Sequence, residues 1–526
     1  MLGQKAHRAA LRIAAGIEAL APADAAYAIG TLYAALLPPS FRAQHGVFYT
    51  PPKLVECLLT MCEEAGVDWR TARILDPACG GGAFLIGLAR RMARALDGVP
   101  PALALHSIGA RLRGFDLDPF GSWLAQVMVG LALEPMTRAT GRRLPELAET
   151  RDSLDLTFAD AESFDLVVGN PPYGRTRLTP ARRSRFARSV YGHANLYGIF
   201  TDAALYWTKR GGIIGYVTPT SMLSGLYYKA LRQLLGTGAP PISVSFVSER
   251  EGVFADVLQE TMLATYRKGG LPVAGKVGFI EVAPDGEAVS RRAGSFALPT
   301  APASPWLLPR TAQQSRLTRR LRSMPHRLAD YGYGVSTGPL VWNRHKGQFR
   351  DEPSIGSIPV IWAEAVAANG AFRWRSERRN HAKWFLPMLP KDKWLIVTSP
   401  CVLVQRTTAK EQPRRLIATE LPAKFIREHN GVAVENHLNM VRTNAPNPSV
   451  PAAVIAAFLN SATADAAFRC LNGSVAVSAF ELEELPFPGP AAIARLSDLV
   501  AAGAPAAKID AFIEAAYGAH NAAAAP

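Results

Sequence analysis

A chain of 526 residues, 48% of them hydrophobic, is longer than a single hydrophobic core sustains, so two domains are expected. Its net charge of +15 is large for an enzyme acting on small molecules and suits a polyanionic partner. No apolar run approaches the roughly 20 residues of a membrane span, and Cys57, Cys62, Cys79, Cys401 and Cys470 contain no CxxC pair, which argues against a disulfide framework or zinc site and fits a soluble protein of the reducing cytoplasm.

Residues 1–45 read as a helical extension. Lys5, Arg8 and Arg12 followed by alanines resemble a targeting peptide, but Glu18 and Asp24 interrupt that pattern, so amphipathic helices packing on the next domain are expected. Over residues 46–290 short apolar runs alternate with helical patterns, as in a mostly parallel α/β sheet flanked by helices. Its strands are expected at 73–76, 113–116, 165–169, 213–217, 242–247 and 262–267, the last two ending the sheet as an antiparallel pair. Between Pro284 and Pro309 the pattern dissolves into Gly, Ala, Ser and Pro with scattered Arg, and residues 291–310 read as a linker. A second, mixed α+β domain over 311–518 is rich in aromatic and basic residues, with β-like runs at 358–362 and 394–406, and an Ala-rich tail at 519–526 reads as disordered.

The first chemical signal is Ile74-Leu75-Asp76-Pro77-Ala78-Cys79-Gly80-Gly81-Gly82, a strand tipped by an acid and followed by a glycine turn and an amphipathic helix. Ligands of open α/β sheets bind at the carboxyl ends of strands. The turn lacks GxGxxG spacing, and the charge of Asp76 opposes a phosphate, so a cationic, amine-bearing ligand such as S-adenosyl-L-methionine (AdoMet) fits better than a dinucleotide, with Pro77, Ala78, Cys79 and Gly80 lining it. A second acid-tipped strand, Arg113-Gly114-Phe115-Asp116, places Asp116 to accept two ribose hydroxyls, while Asp118 before Pro119 reads as a helix cap. Asp152, beside Ser153, suits the cofactor's adenine amino group, and a solvated loop acid is the equal alternative. Tyr49 and Thr50, before Pro51-Pro52, fit either a cover over the methionine end of the cofactor or a plain helix entry.

The segment 165–173 runs from a buried strand into Asn170-Pro171-Pro172-Tyr173, whose prolines hold the backbone rigid and extended. Adenine N6 is a poor nucleophile because its lone pair is delocalised into the ring. If the Asn170 side-chain oxygen and the Pro171 carbonyl each accept one N6 hydrogen, the nitrogen is drawn toward tetrahedral geometry and its lone pair becomes available to a methyl sulfonium; positioning and oriented dipoles then carry the catalysis. Tyr173 supplies a face for an extruded base. A structural turn is the plain alternative, weakened by the acid-tipped strands that come before it in order.

With these residues in view, the chain resembles the γ-class N6-adenine DNA methyltransferases of type II restriction-modification systems. The resemblance runs from Phe48-Tyr49-Thr50-Pro51-Pro52 through Asp76-Pro77-Ala78-Cys79-Gly80, Asp116, Asp152, Asn170-Pro171-Pro172-Tyr173 and Asn195-Leu196-Tyr197 to Val253-Phe254. Softer matches follow at 434–440 and 479–486. It implies a Rossmann-like class I AdoMet-dependent methyltransferase domain plus a C-terminal target-recognition domain, an adenine flipped out of double-stranded DNA, and Phe254 against that adenine opposite Tyr173. A core position for Phe254 is the alternative, given Val253 and Val257. No nuclease motif is appended, so any cognate restriction endonuclease is expected to be a separate protein.

Arg175, Arg177, Arg182, Arg183, Arg185 and Arg188 follow the Asn-Pro-Pro-Tyr loop with no acid among them, a pattern suited to gripping phosphates around a vacated base; a solvated helix face is the plain reading. In the second domain Trp342, Arg344, His345 and Lys346, then Arg373, Trp374, Arg375, Arg378 and Arg379, interleave bases with aromatics, and Arg344 and Lys346 are taken as DNA contacts. A protein N5-glutamine methyltransferase poses the same amide-nitrogen problem but leaves residues 311 onward without a role. A cytosine-C5 enzyme needs a Cys nucleophile, and Cys401 sits in an apolar run far from the cofactor motifs. A non-catalytic DNA-binding module and a subunit dependent on a separate specificity subunit are further alternatives, each less favoured.

Overall fold

In the computed structural model the chain divides into two units, one of residues 1–222 and 227–304, the other of 223–226 and 305–526. The structure describes residues 4–38, 50–155, 160–247, 260–282, 288–378, 381–407, 412, 414–444, 448–472 and 476–518. Tyr49, Phe254, Arg379 and the 519–526 tail lie outside the described residues.

The first unit begins with helices α1 (Gln4–Glu18), α2 (Pro22–Leu36) and α3 (Pro52–Glu64). A Pro in the first turn starts α2 and α3, where the missing N–H breaks no bond. Helices α4 (Ala83–Ala95), α5 (Pro101–Arg111) and α6 (Pro119–Ala132) follow. Helix α2 buries Ala25 and Ala26 in the core, and its Tyr33 ring lies 4.3 Å from that of Phe120 on α6, as expected of a packed N-terminal extension.

Eleven described strands belong to this unit: β1 (Ile74–Asp76), β2 (Leu112–Asp116), β3 (Ala148–Thr150), β4 (Phe164–Gly169), β5 (Arg175–Thr176), β6 (Ala194–Asn195), β7 (Thr208–Pro219), β8 (Pro241–Val247), β9 (Thr261–Arg267), β10 (Gly275–Val282) and β11 (Ala288–Phe296). Nine of them form one sheet in the order β11-β10-β8-β9-β7-β4-β1-β2-β3. β1, β2, β3, β4 and β7 are parallel, and β9 runs antiparallel to both β7 and β8. The central strands are near-continuous apolar runs, Leu166, Val167 and Val168 among them, because helices cover both faces.

All six expected strands form, but β8 and β9 do not end the sheet. β10 adds parallel to β8, and β11 adds antiparallel to β10. Residues 291–296 therefore complete β11 rather than opening a linker at 291, and the unit boundary falls after Ser304. β11 has the sequence AVSRRAGSF, an edge strand that shows little apolar alternation, burying Ala293 and Phe296 and pairing Arg291 with Glu281 on β10.

The chain order reverses at β1: β2 and β3 lie on one side, β4 and β7 on the other. A crevice outside the carboxyl ends at such a switch point is where an open α/β sheet takes its ligand. Asp76 ends β1, Asp116 ends β2, and Asn170 follows β4.

In the second unit the strands are β12 (Tyr333–Thr337), β13 (Phe349–Arg350), β14 (Ile358–Ile361), β15 (Trp384–Phe385), β16 (Ile396–Val397), β17 (Cys401–Gln405), β18 (Ala418–Leu421), β19 (Val432–Val434) and β20 (Leu438–Thr443). They make an antiparallel sheet β12-β20-β17-β18 and a mixed sheet β13-β15-β14-β19-β16. A helical core centred on Leu321, Val454, Phe458, Phe468, Leu496, Ile513 and Tyr517 packs with the first sheet. The run expected at 394–406 splits into β16 and β17: Thr398, Ser399 and Pro400 break it, and Trp394 lies outside any strand, exposed.

Candidate active site

The glycine turn is shaped by two residues with a left-handed backbone, Gly80 at φ 50° and Gly82. Gly82 caps α4 at φ 88°, and a Cβ there would lie 2.8 Å from the backbone of Ala125 on α6. The same close approach recurs beneath the loop: a Cβ on Gly169 would stand 2.6 Å from Asp76 Oδ1. The ends of β1 and β4 are thus in contact through the Asp76 carboxylate and the Gly169 backbone.

Asp76 is fully buried. Its Oδ1 accepts from Ala78 N at 3.1 Å, while Oδ2 has no partner among the described residues. Burial, opposed by the Ala78 bond and helped by the charge of Asp116, pushes the Asp76 carboxyl up to about 8. Asp116 Oδ2 accepts from Gly80 N and its Oδ1 from Asp118 N, both at 2.8 Å, so the acid holds the glycine turn; burial raises it too, against those bonds. Asp118 caps α6 through Phe120 N at 3.0 Å, as expected. Ser153 Oγ donates to Pro77 O at 2.5 Å, tying the 152–155 loop to the turn.

The Asn170 amide donates to Thr50 Oγ1 at 3.0 Å, which leaves the buried Asn170 Oδ1 without a partner among the described residues. Tyr173 is fixed by its hydroxyl, which donates to Val217 O at 3.2 Å, and by the edge-on ring of Tyr197 at 6.0 Å. Tyr197 stacks on Tyr228 at 5.1 Å. β5 pairs with β6, and Asn195 then caps helix α7 (Leu196–Trp207) through Tyr197 N, so the 195–197 motif anchors the chain just past Tyr173.

The structure therefore brings together Thr50, Asp76, Pro77, Ala78, Cys79, Gly80, Asp116, Ser153 and Asn170 by direct bonds or neighbouring strand ends. It also adds Tyr33, which the sequence reading did not single out. Burial first, then the charge of and a hydrogen bond to Asp118, and the charge of Asp116, raise its phenol. Its only signal in sequence is an aromatic on an Ala-rich helix.

Two expectations are corrected. Arg182 is not an open phosphate ligand: its Nη2 contacts Asp152 Oδ2 and Asp155 Oδ1, each at 2.7 Å. Arg188 is bound by the buried Asp202 at 2.6 Å. The row of arginines lacks acids in sequence but not in space, because the carboxylates arrive from other segments. Asp152 consequently faces an arginine as well as Leu154 N, which it accepts at 2.9 Å. Arg175, Arg177, Arg183 and Arg185 are exposed, Arg183 donating to Gly192 O at 3.1 Å. Arg344 and Lys346 lie exposed in the second unit. Cys401 is buried in β17, and burial pushes its thiol up to about 12, so it offers no nucleophilic thiolate.

This is the fold of class I methyltransferases, with the candidate residues at the expected edge of the sheet. The DNA-bound restriction-modification enzyme MmeI superposes with a TM-score of 0.58 over 95% of this chain and 79% of its own, at 14% identity. The Eco57I restriction-modification methylase family matches residues 139–250, which include the Asn-Pro-Pro-Tyr loop. The type II methyltransferase M.BsuBI of Bacillus subtilis is 25% identical over 64% of this chain and 68% of its own length. M.PstI of Providencia stuartii is 24% identical over 62% of this chain and 65% of its own, so the matches span about two thirds of these relatives. The chain is a homologue of type II restriction-modification methyltransferases.

Proposed function

We propose that this chain transfers a methyl group from AdoMet to the exocyclic N6 of an adenine extruded from duplex DNA, as the modification enzyme of a restriction-modification system. The observation that carries the reading is the pair of buried oxygens, Asp76 Oδ2 and Asn170 Oδ1, that have no partner among the described residues and lie on adjacent strand ends. A buried acceptor without a donor costs about 1–3 kcal/mol, so a ligand with donors is the natural complement.

The residues fit the cofactor. Asp76 offers a carboxylate to an ammonium, Asp116 a carboxylate to vicinal hydroxyls, and the 77–82 turn a small-residue cradle. AdoMet supplies the electrophilic methyl on its sulfonium. Asn170, oriented by Thr50, would accept one N6 hydrogen and leave the other to the Pro171 carbonyl, freeing the nitrogen lone pair; the N–C bond would form as the sulfur–methyl bond breaks with its electron pair returning to sulfur, and the displaced N6 proton would leave to solvent. Tyr173, held by its hydroxyl bond and its T-shaped contact with Tyr197, supplies a ring to the extruded base.

The test is mass spectrometry of nucleosides from duplex DNA treated with the protein and AdoMet. N6-methyl-2′-deoxyadenosine is expected, and Asn170→Ala should cut turnover by about 100-fold or more while AdoMet binding stays close to wild type. Methylated cytosine, or near-normal turnover in the variant, overturns the assignment.

A further inference from the structure

One buried carboxylate in the second unit holds two outward-facing segments together. Asp392 Oδ2 accepts from Met388 N at 2.8 Å and from Gln348 Nε2 at 2.6 Å, while Asp392 N donates to Met388 O at 3.0 Å, closing residues 388–392 on themselves. Gln348 also donates to Leu386 O at 3.1 Å, and Leu386 N returns a bond to Gln348 O at 2.8 Å. His345 Nδ1 lies 2.9 Å from Gln348 Oε1, and the pairing of β13 with β15 continues the connection. Segments 342–348 and 386–394 are therefore one built unit whose polar bonds are spent internally.

What this unit shows to solvent differs from what it buries. Leu389 and Trp394 are each 64% exposed, and Met388 and Trp342 are exposed beside them. Arg344, Lys346, Lys391 and Lys393 are exposed as well, with the Lys346 ammonium 5.2 Å from the Trp342 ring centroid. Across both segments the sole carboxylate is Asp392, and it is buried; the next acids, Asp351 and Glu352, come after β13.

We infer that these two loops form a duplex-DNA contact surface, with Arg344, Lys346, Lys391 and Lys393 on phosphates and Leu389 and Trp394 pressed into a groove. The inference rests on the reading that duplex DNA is the substrate. Four cations without an exposed acid match a polyanion, and apolar wedges between cationic side chains are how proteins engage a groove while neutralising its rims. A second copy of the chain is a poorer occupant, because a two-fold contact would set the same four cations against each other.

The experiment is anisotropy of a labelled random-sequence duplex with the full chain across a salt series. Lys391→Ala/Lys393→Ala should lower the slope of log affinity against log salt by about 2. Leu389→Ala/Trp394→Ala should weaken binding by roughly tenfold with the slope unchanged. Both variants should keep wild-type melting and AdoMet binding by calorimetry. If the wild type binds duplex and both variants match it in affinity and slope, this surface is refuted while the methyltransferase reading stands. A wild type that binds no duplex overturns both. A wild-type dimer in sedimentation velocity that is lost in Leu389→Ala/Trp394→Ala would assign the surface to a second copy instead.

Discussion

Asp76 makes the proposed cofactor site proton-linked. Burial holds its carboxyl near 8, so the ligand-free protein at pH 7 carries a mostly neutral acid at the end of β1. An ammonium docking there requires the ionised form, so binding must expel the proton. With the acid near 8, about nine-tenths of a proton leaves per AdoMet at pH 7, and affinity is lowered roughly tenfold at pH 7 and 100-fold at pH 6 relative to the ionised site. The sign follows from the raised value: affinity rises with pH until Asp76 is ionised, near pH 8, beyond which the ligand's own amino group begins to lose its charge. Asp116 is raised by burial in the same direction, so pH alone does not separate the two acids. Asp76→Asn does: it should bind weakly and release no proton at this position. Calorimetry in two buffers of different ionisation enthalpy counts the protons directly. Wild-type binding between pH 6 and 7 that is flat and releases none would refute the argument.

The corrected place of Arg182 gives a second prediction. Arg182→Ala should leave the salt dependence of DNA binding nearly unchanged and weaken AdoMet binding several-fold by loosening Asp152, whereas Arg183→Ala should flatten the salt slope by about 1; a full unit lost in Arg182→Ala contradicts its ion pairs. Gly169→Ala drives a methyl against Asp76 Oδ1, 2.6 Å away, and overpacking of this kind costs about 1–3 kcal/mol. It should lower the melting temperature and reduce AdoMet affinity at least tenfold by calorimetry, and a variant with both properties intact would show that the strand ends separate freely.

Much of the catalytic unit was legible because its chemistry is local in sequence. Asp76, Asp116 and Asn170 each end an apolar strand, so period and position identified them together. β11 was illegible because it shows little apolar alternation, and Ser290, Arg291 and Arg292 look like linker until β10 lies alongside. Arg182 was misread for a related reason: charge runs are visible along the chain, while the carboxylates that neutralise them, Asp152 and Asp155, sit about 30 positions earlier. Tyr33 went unnoticed because nothing in an Ala-rich helix says which residue meets Asp118. Of the segment built on Asp392, only Trp394 fell within the run expected as strand, and nothing in the sequence pattern joined residues 386–394 to 342–348.

Three buried polar atoms without a described partner lie at the carboxyl ends of three neighbouring strands: Thr218 Oγ1 on β7, Asn170 Oδ1 after β4 and Asp76 Oδ2 on β1. A second such group, Ser336 Oγ, Asn436 Oδ1 and Asn439 Oδ1, lies at one end of the β12–β20 pair in the second unit. At about 1–3 kcal/mol each, the trio in the first unit withholds several kcal/mol from the folded state at one place. Folding alone gives no reason to concentrate that cost, since Gly169 shows the β1 and β4 ends packing closely enough to exclude a side chain. Ligand donors reaching this edge would return the missing bonds, so that binding there would stabilise the first unit as it completes the site. The edge of the sheet that is least satisfied without a ligand is therefore the edge where bound donors gain the most.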